Sequence, residues 1–313
     1  APPPHPTDSP DRSWIDAVPL AAARPYLRLM RLDRPIGVWL LVFPCWWSVC
    51  LAGIANDSPM PELWLMFLFL VGAVVMRGCG CAYNDYIDRD IDAKVARTAT
   101  RPIPSGAVTP SQALAFAIIL GWFGFVVLIQ FNWVTIAVGT GSLVFVAIYP
   151  FMKRLTDWPQ LVLGIAFNWG ALVGWTAVNA SLDWPPVLLF LGSVMWTVGY
   201  DTIYAHQDRE DDRALGLKST ALRFGAHTRI WVGGFYAAAV LLWLAAGVLA
   251  GTHIAYGVAV GLVAAHLAWQ VATLDMSDAK NCLHRFRANR DVGILLLLGL
   301  IADMLLSSSA GSG

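Results

Sequence analysis

Polar residues are sparse along most of this chain and gather at the ends of long apolar runs. Runs of about 17 to 25 residues, long enough to cross a hydrocarbon core as helix, occur near 35–55, 63–83, 112–131, 133–151, 160–180, 187–205, 230–250, 253–274 and 292–309. Nine spanning helices are expected. The ninth run has the weakest pattern, because its strongly apolar part is short, it contains Asp303, and it ends in Ser307-Ser308-Ser309. Ahead of the first run, Pro25 to Asp33 sets Tyr26, Leu27, Leu29, Met30 and Leu32 among Arg24, Arg28 and Arg31. That is the pattern of a helix lying at a membrane surface.

Composition agrees with the pattern. Of 313 residues, 57% are hydrophobic and 13% charged, about half the charge of a soluble globule. The expected fold class is an all-α polytopic membrane protein whose solvent partner is a lipid bilayer. The polar, proline-rich opening lacks a basic start followed by a short apolar core. A disordered tail is therefore expected over 1–24, a membrane domain over 25–309 and a second tail over 310–313. Cys45, Cys50, Cys79, Cys81 and Cys282 have no zinc-like spacing and mostly fall within spans, where they read as small packing residues.

The formal net charge of zero says nothing about partners, and no nucleic-acid partner is expected. Placement says more. With nine spans, the N-terminus and the segments after spans two, four, six and eight hold all 21 Lys and Arg residues, counting Arg77 with the loop that it approaches. That side is cytoplasmic, or the matrix side in a mitochondrion, and the C-terminus is outside. A bacterial inner membrane is the expected location, with the mitochondrial inner membrane as alternative.

Two acidic segments lie on the basic side: Asn84-Asp85-Tyr86-Ile87-Asp88-Arg89-Asp90-Ile91-Asp92, and Asp201 through Asp212. At about 100° per residue, Asp85, Asp88 and Asp92 fall within roughly 70°, and Asp201, Asp208 and Asp212 form a narrower stripe. Carboxylates are costly near lipid and mark function there. Asn84, Asp88 and Asp92 at i, i+4 and i+8, with Asp208 and Asp212 at i and i+4, suit magnesium, which takes oxygen ligands, retains waters and shares phosphate oxygens. Asp90, Glu210 and Asp211 lie off the stripes and are expected to be solvated or paired. Neither segment has the glycine-centred loop of an EF-hand.

Cations around carboxylates point to an anionic partner held by both metal and protein. Arg97, Arg101, Lys153, Arg154 and Lys218 are candidate phosphate clamps, while Arg77, on the face of Asn84 and Asp88, can pair with Asp88 or reach a phosphate. A diphosphate site at the mouth of a membrane cavity suits a lipid diphosphate. His206 points away from the Asp208 and Asp212 stripe. Most of Trp39, Trp46, Trp47, Trp122, Trp169 and Trp196 read as packing or interface residues. Each acidic segment is followed by a basic run, a weak internal echo at a four-helix offset.

The residues Asn84-Asp85-x-x-Asp88-x-x-x-Asp92-x-Lys94-Val95-x-Arg97-Thr98-x-x-Arg101-Pro102-x-Pro104-Ser105-Gly106 resemble the signature of the intramembrane aromatic prenyltransferases, the UbiA superfamily. Tyr200-Asp201-Thr202-x-Tyr204-Ala205-x-x-Asp208-x-x-x-Asp212 with Lys218-Ser219-Thr220 resembles its partner motif. Arg31-Leu32-Asp33-Arg34-Pro35-Ile36-Gly37, Tyr149-Pro150-x-x-Lys153-Arg154, Pro159-Gln160-x-x-Leu163-Gly164 and Asn281-Cys282-x-x-x-Phe286-x-x-Asn289 resemble the branch that acts on 4-hydroxybenzoate in ubiquinone synthesis.

The resemblance, covering about residues 25 to 305, implies nine transmembrane helices around a central cavity with cytoplasmic cap segments. It also implies magnesium-dependent transfer of a polyprenyl chain from polyprenyl diphosphate to the ring carbon ortho to the hydroxyl of 4-hydroxybenzoate. Asp88, Asp92, Asp208 and Asp212 would then be catalytic through the metal. Asp201 and Tyr204 are candidates for orienting the acceptor, and Arg154, with Lys153 as alternative, for its carboxylate. Asn84, Asp85, Arg77, Lys94, Arg97, Arg101 and Lys218 complete the expected substrate site. Other acceptors, such as homogentisate, dihydroxynaphthoate, haem or a lipid alcohol, remain alternatives within the family. A secondary cation transporter is the alternative outside it, against which stands the position of the acidic segments at span ends and not at mid-membrane.

Overall fold

The computed structural model describes residues 13–95 and 98–310, the last three as backbone only. Among the described residues there is no β-strand. The helices are α1 (Arg24–Leu29), α2 (Ile36–Ala55), α3 (Leu63–Asp92), α4 (Pro110–Leu128), α5 (Trp133–Ile148), α6 (Met152–Leu155), α7 (Pro159–Asn168), α8 (Gly170–Asn179), α9 (Trp184–Ala205), α10 (Arg209–Ala214), α11 (Thr220–Phe224), α12 (Thr228–Ala250), α13 (Ile254–Ala272), α14 (Ala279–Arg287) and α15 (Asn289–Ala310).

Eight stretches of described residues are long and apolar enough to cross a membrane, and they correspond to the first eight expected runs. The ninth run is also helical, as α15, but its described part carries Arg290, Asp291 and Asp303 and falls outside the eight. The count of nine is thus approximate. Large apolar side chains such as Ile118, Trp122 and Phe123 on α4, and Ile230, Leu241 and Val248 on α12, are exposed, as expected of helices solvated by lipid.

The chain divides into two compact units. The first comprises the described residues of 1–38 and 71–128. Its core joins Leu29 of α1, Ala82 of α3, Ala113 and Ala117 of α4, and Ile103 and Val108 from the connection between α3 and α4. Tyr26 meets Phe116 edge-on at 5.1 Å. That connection is therefore folded onto the helices. Residues 13–23, expected as tail, form two 3-10 turns instead: Ser13 makes a capping box, Ile15 is fully buried, Arg28 pairs with Asp16, and Trp14 Nε1 donates to the Leu32 carbonyl at 3.4 Å. The folded chain begins earlier than composition suggested, because Ile15 gives this polar stretch an anchor.

The second unit comprises 39–70 and 129–313. Trp47, Trp196 and Trp243 are fully buried and mutually adjacent, with ring centroids 5.5 to 5.7 Å apart. Every indole N–H of the three finds an acceptor, as burial requires: Trp47 donates to the Gly293 carbonyl at 3.0 Å, Trp196 to Asn289 Oδ1 at 2.7 Å, and Trp243 to Ser193 Oγ at 3.1 Å. The expected single helix over 160–180 is two, with a break at Trp169. Beside the break, a β-carbon at Gly174 would lie 2.5 Å from the Cys45 carbonyl oxygen, so only glycine permits this approach of α8 to α2. The five cysteines are free and four of them are buried.

Asp303, an oddity within an apolar run, has a structural task. Its carboxylate accepts from the backbone N–H of His253 at 2.7 Å and of Tyr256 at 3.1 Å. It thereby satisfies orphan donors at the N-terminus of α13 from a different helix.

Candidate functional site

The first acidic segment is the end of one uninterrupted helix. α3 runs 30 residues without a break, so the helical arithmetic applies, and Asp85, Asp88 and Asp92 are 1%, 9% and 7% exposed. Off the stripe, the Asp90 side chain is 83% exposed and lies 3.9 Å from Arg89. Burial thus separates the stripe from its neighbour as the periodicity predicted.

Guanidinium groups hold these carboxylates. Arg101 Nη1 donates to Asp85 Oδ1 at 3.1 Å and to Asp92 Oδ2 at 2.8 Å, bridging two residues that are two helical turns apart. Arg31 Nη2 donates to the same Asp85 oxygen at 2.7 Å. Burial works against the charged Arg31, yet the adjacent Asp85 carboxylate overrides it and raises the guanidinium well above its ordinary pKa. Arg31, two residues past the end of α1, also has a positive φ of 56°, an uncommon backbone for a non-glycine residue. Sequence spacing gives no sign of this contact. Asn84 Nδ2 donates to Asp88 Oδ2 at 3.4 Å, and Thr98 Oγ1 donates to the Asp92 carbonyl at 2.8 Å, closing the turn after the helix. Lys94 is exposed. Arg77 is half-buried on α3, and Arg97 lies outside the described residues.

The second segment is not the continuous helix that its stripe requires. α9 ends at Ala205, a 3-10 turn covers His206–Asp208, and α10 begins at Arg209. A 3-10 turn advances about 120° per residue against about 100° for α-helix. Over three residues this adds about 60°, so Asp208 moves from about 20° on one side of Asp201 to about 40° on the other, while Asp212 follows it at i+4 on α10. Asp212 is buried, Asp201, Asp208 and Tyr204 are half-buried, and Glu210 is exposed. The His206 ring meets Thr228 Oγ1 at 3.1 Å, a tie to α12.

Backbone contacts hold the stretch from Lys218 to Thr220, just after the segment. Lys218 N donates to the Lys153 carbonyl at 2.8 Å, and its Nζ to the Leu155 carbonyl at 3.4 Å. Ser219 caps α11, Thr220 N donates to the buried Gln160 Oε1 at 3.1 Å, and the hydroxyls of Thr202 and Thr220 are 2.6 Å apart. Lys153 is half-buried and Arg154 exposed. The Asn281 to Asn289 motif supports the same region: Phe286 packs on Tyr204 at 4.5 Å, and buried Asn289 accepts from Trp196. Gln160, Thr202, Thr220 and Asn289 stand in the motifs quoted from the sequence but were given no role there, since a buried amide or hydroxyl leaves no periodic or charge signal.

Among the described residues, no group of three or more His, Cys, Asp and Glu side chains converges as a metal cage would. The donor set nonetheless fits magnesium, which needs one or two carboxylates beside phosphate and water oxygens. Asn84, Asp88 and Asp92 supply hard oxygens on one helical face, and Asp208 and Asp212 supply a second pair.

The model of the UbiA prenyltransferase family matches residues 41–297. The chain is 47% identical over 298 residues to the 4-hydroxybenzoate polyprenyltransferase, mitochondrial, of Homo sapiens, covering 93% of this chain and 78% of that protein. The protein of the same name from Aedes aegypti is 48% identical over 282 residues, covering 90% of this chain but 64% of the relative. Among solved structures, the apo structure of a UbiA homolog from Aeropyrum pernix K1 is similar with a TM-score of 0.70 and 28% identity, covering 85% of this chain and 98% of that one. A UbiA homolog from Archaeoglobus fulgidus, bound to GPP and Mg2+, shares the fold at a TM-score of 0.65 and 19% identity, covering 91% and 99%.

Proposed function

The chain belongs to the UbiA prenyltransferase family, and we propose that it transfers a polyprenyl chain from polyprenyl diphosphate to the ring carbon ortho to the hydroxyl of 4-hydroxybenzoate. The observation that carries the reading is the first acidic segment: three nearly buried carboxylates on one face at the end of a spanning helix, in a chain about half identical to proteins of that activity.

Asn84, Asp88 and Asp92, and likewise Asp208 and Asp212, would offer oxygen ligands to magnesium, which would neutralise the charge that collects on the departing diphosphate. The protein's own work is to bind, orient and keep water out. Arg77, Lys94, Arg97 and Lys218 hold diphosphate oxygens. Arg101 and Asp85 keep the acidic helix end in register, since one guanidinium ties Asp85 to Asp92. The allylic C–O bond breaks with its electron pair going to the diphosphate, the ring carbon attacks the resulting cation, and the ring proton passes to the released diphosphate or to water, which restores aromaticity. Asp201 and Tyr204 orient the acceptor, with its carboxylate toward Arg154 or Lys153. Apolar walls shield the cation from water.

The protein is an integral membrane protein. Its relatives are named mitochondrial, which favours the mitochondrial inner membrane over the bacterial one expected from charge placement alone, with the acidic segments on the matrix side. The membrane domain is assigned to 25–309. Membranes containing the protein, incubated with polyprenyl diphosphate and labelled 4-hydroxybenzoate, should form a prenylated product only when magnesium is present. Mass spectrometry of that product reads both acceptor and tail. A product on another acceptor, or none from folded protein, would refute the assignment.

A further inference from the structure

Gly37 ends the Arg34-Pro35-Ile36-Gly37 run at the start of α2, a motif to which the proposed reaction gives no task. A β-carbon at this position would lie 2.9 Å from Cζ and from Nη2 of Arg77, and closer still to Nε. All three nearest atoms belong to one guanidinium, so the head of Arg77 fills the space that any side chain at 37 would take. The backbone does not ask for glycine here, because Gly37 is not among the glycines with positive φ. The requirement is for room alone.

Arg77 precedes Asn84 by seven residues and Asp88 by eleven, on one unbroken helix. The three side chains therefore leave α3 within about 40° of one another. We propose that Gly37 is a positioning residue: by lacking a side chain, it seats the Arg77 guanidinium along the face of Asn84 and Asp88, where it holds the diphosphate of the prenyl donor. This rests on reading the first acidic segment as diphosphate-binding. Gly37→Ala would meet only the end of a flexible side chain, so the fold accommodates the methyl by moving the guanidinium and not the helices.

A charge-assisted hydrogen bond lost in this way lowers kcat/KM for polyprenyl diphosphate by about tenfold or more. The KM for 4-hydroxybenzoate stays unchanged, inhibition by inorganic diphosphate weakens in parallel, and the melting temperature in detergent holds. In an Arg77→Ala background, adding Gly37→Ala costs nothing further, because the two act as one unit. The positioning role is overturned if Gly37→Ala retains full activity, if it causes the same loss without Arg77, or if its loss comes with a lower melting temperature and undiminished inhibition by diphosphate. Asp88→Ala separates the two levels of inference. Its retention of turnover would reject the diphosphate reading itself, whereas a silent Gly37→Ala beside an inactive Asp88→Ala rejects only the positioning.

Discussion

In the first acidic segment, Asp85, Asp88 and Asp92 ride on the closing turns of a 30-residue helix, and a guanidinium bridges Asp85 to Asp92. In the second, the helix stops at Ala205, a 3-10 turn ends on Asp208, and Asp212 sits on the six-residue α10, whose Asp212 carbonyl accepts from Leu217 N–H. The two solve the same problem of holding carboxylates near lipid by different means. One takes its geometry from helical repetition and neutralises charge with charge. The other is followed by a stretch, Lys218 to Thr220, that is pinned by hydrogen bonds to residues distant in sequence.

The largest test asks whether the segments are equivalent in chemistry despite that difference. Asp88→Ala and Asp208→Ala should each lower kcat by at least about 10²-fold to 10³-fold, measured on membranes with matched protein levels. Loss in one alone would break the equivalence. Next comes the charge bridge. Arg101→Ala leaves Asp85 and Asp92 buried without it and should cost about 3–5 kcal/mol, whereas Arg223→Ala, removing a half-exposed pair with Asp157, should cost no more than about 1 kcal/mol. Thermal unfolding in detergent distinguishes the two. For the second segment, Gln160→Leu strips the acceptor from Thr220 N–H and should cost about 1–3 kcal/mol, with turnover falling as the Lys218 loop loosens. A Gln160→Leu protein of unchanged stability would show that the loop does not depend on this tie. Smallest of all, Asp90→Ala and Glu210→Ala should stay within about 0.5 kcal/mol of the parent and near its turnover. If they lose activity as Asp88→Ala does, the distinction between stripe and solvated carboxylates fails.

Sequence pattern was a good guide where one physical rule dominates. Hydropathy located eight spans because each is a long apolar run, and the 100° rule separated buried Asp88 from exposed Asp90 because α3 is continuous. The rule is off by about 60° between Asp201 and Asp208, where no glycine or proline announces the 3-10 turn. It likewise missed the interruption at Trp169, which lies within a continuous apolar run. The Asp85 partners were invisible for another reason. Arg31 reaches Asp85 across 54 residues, and no periodicity encodes a contact of that range.

The cap that Asp303 supplies makes α13 depend, during biogenesis, on a segment about fifty residues further along the chain. Until the segment bearing Asp303 has been translated and inserted, the N–H groups of His253 and Tyr256 lack their carboxylate acceptor, and an uncapped helix start is costly next to hydrocarbon. α15 therefore acts as a latch: α13 gains its carboxylate cap only once the segment bearing Asp303 has packed against it.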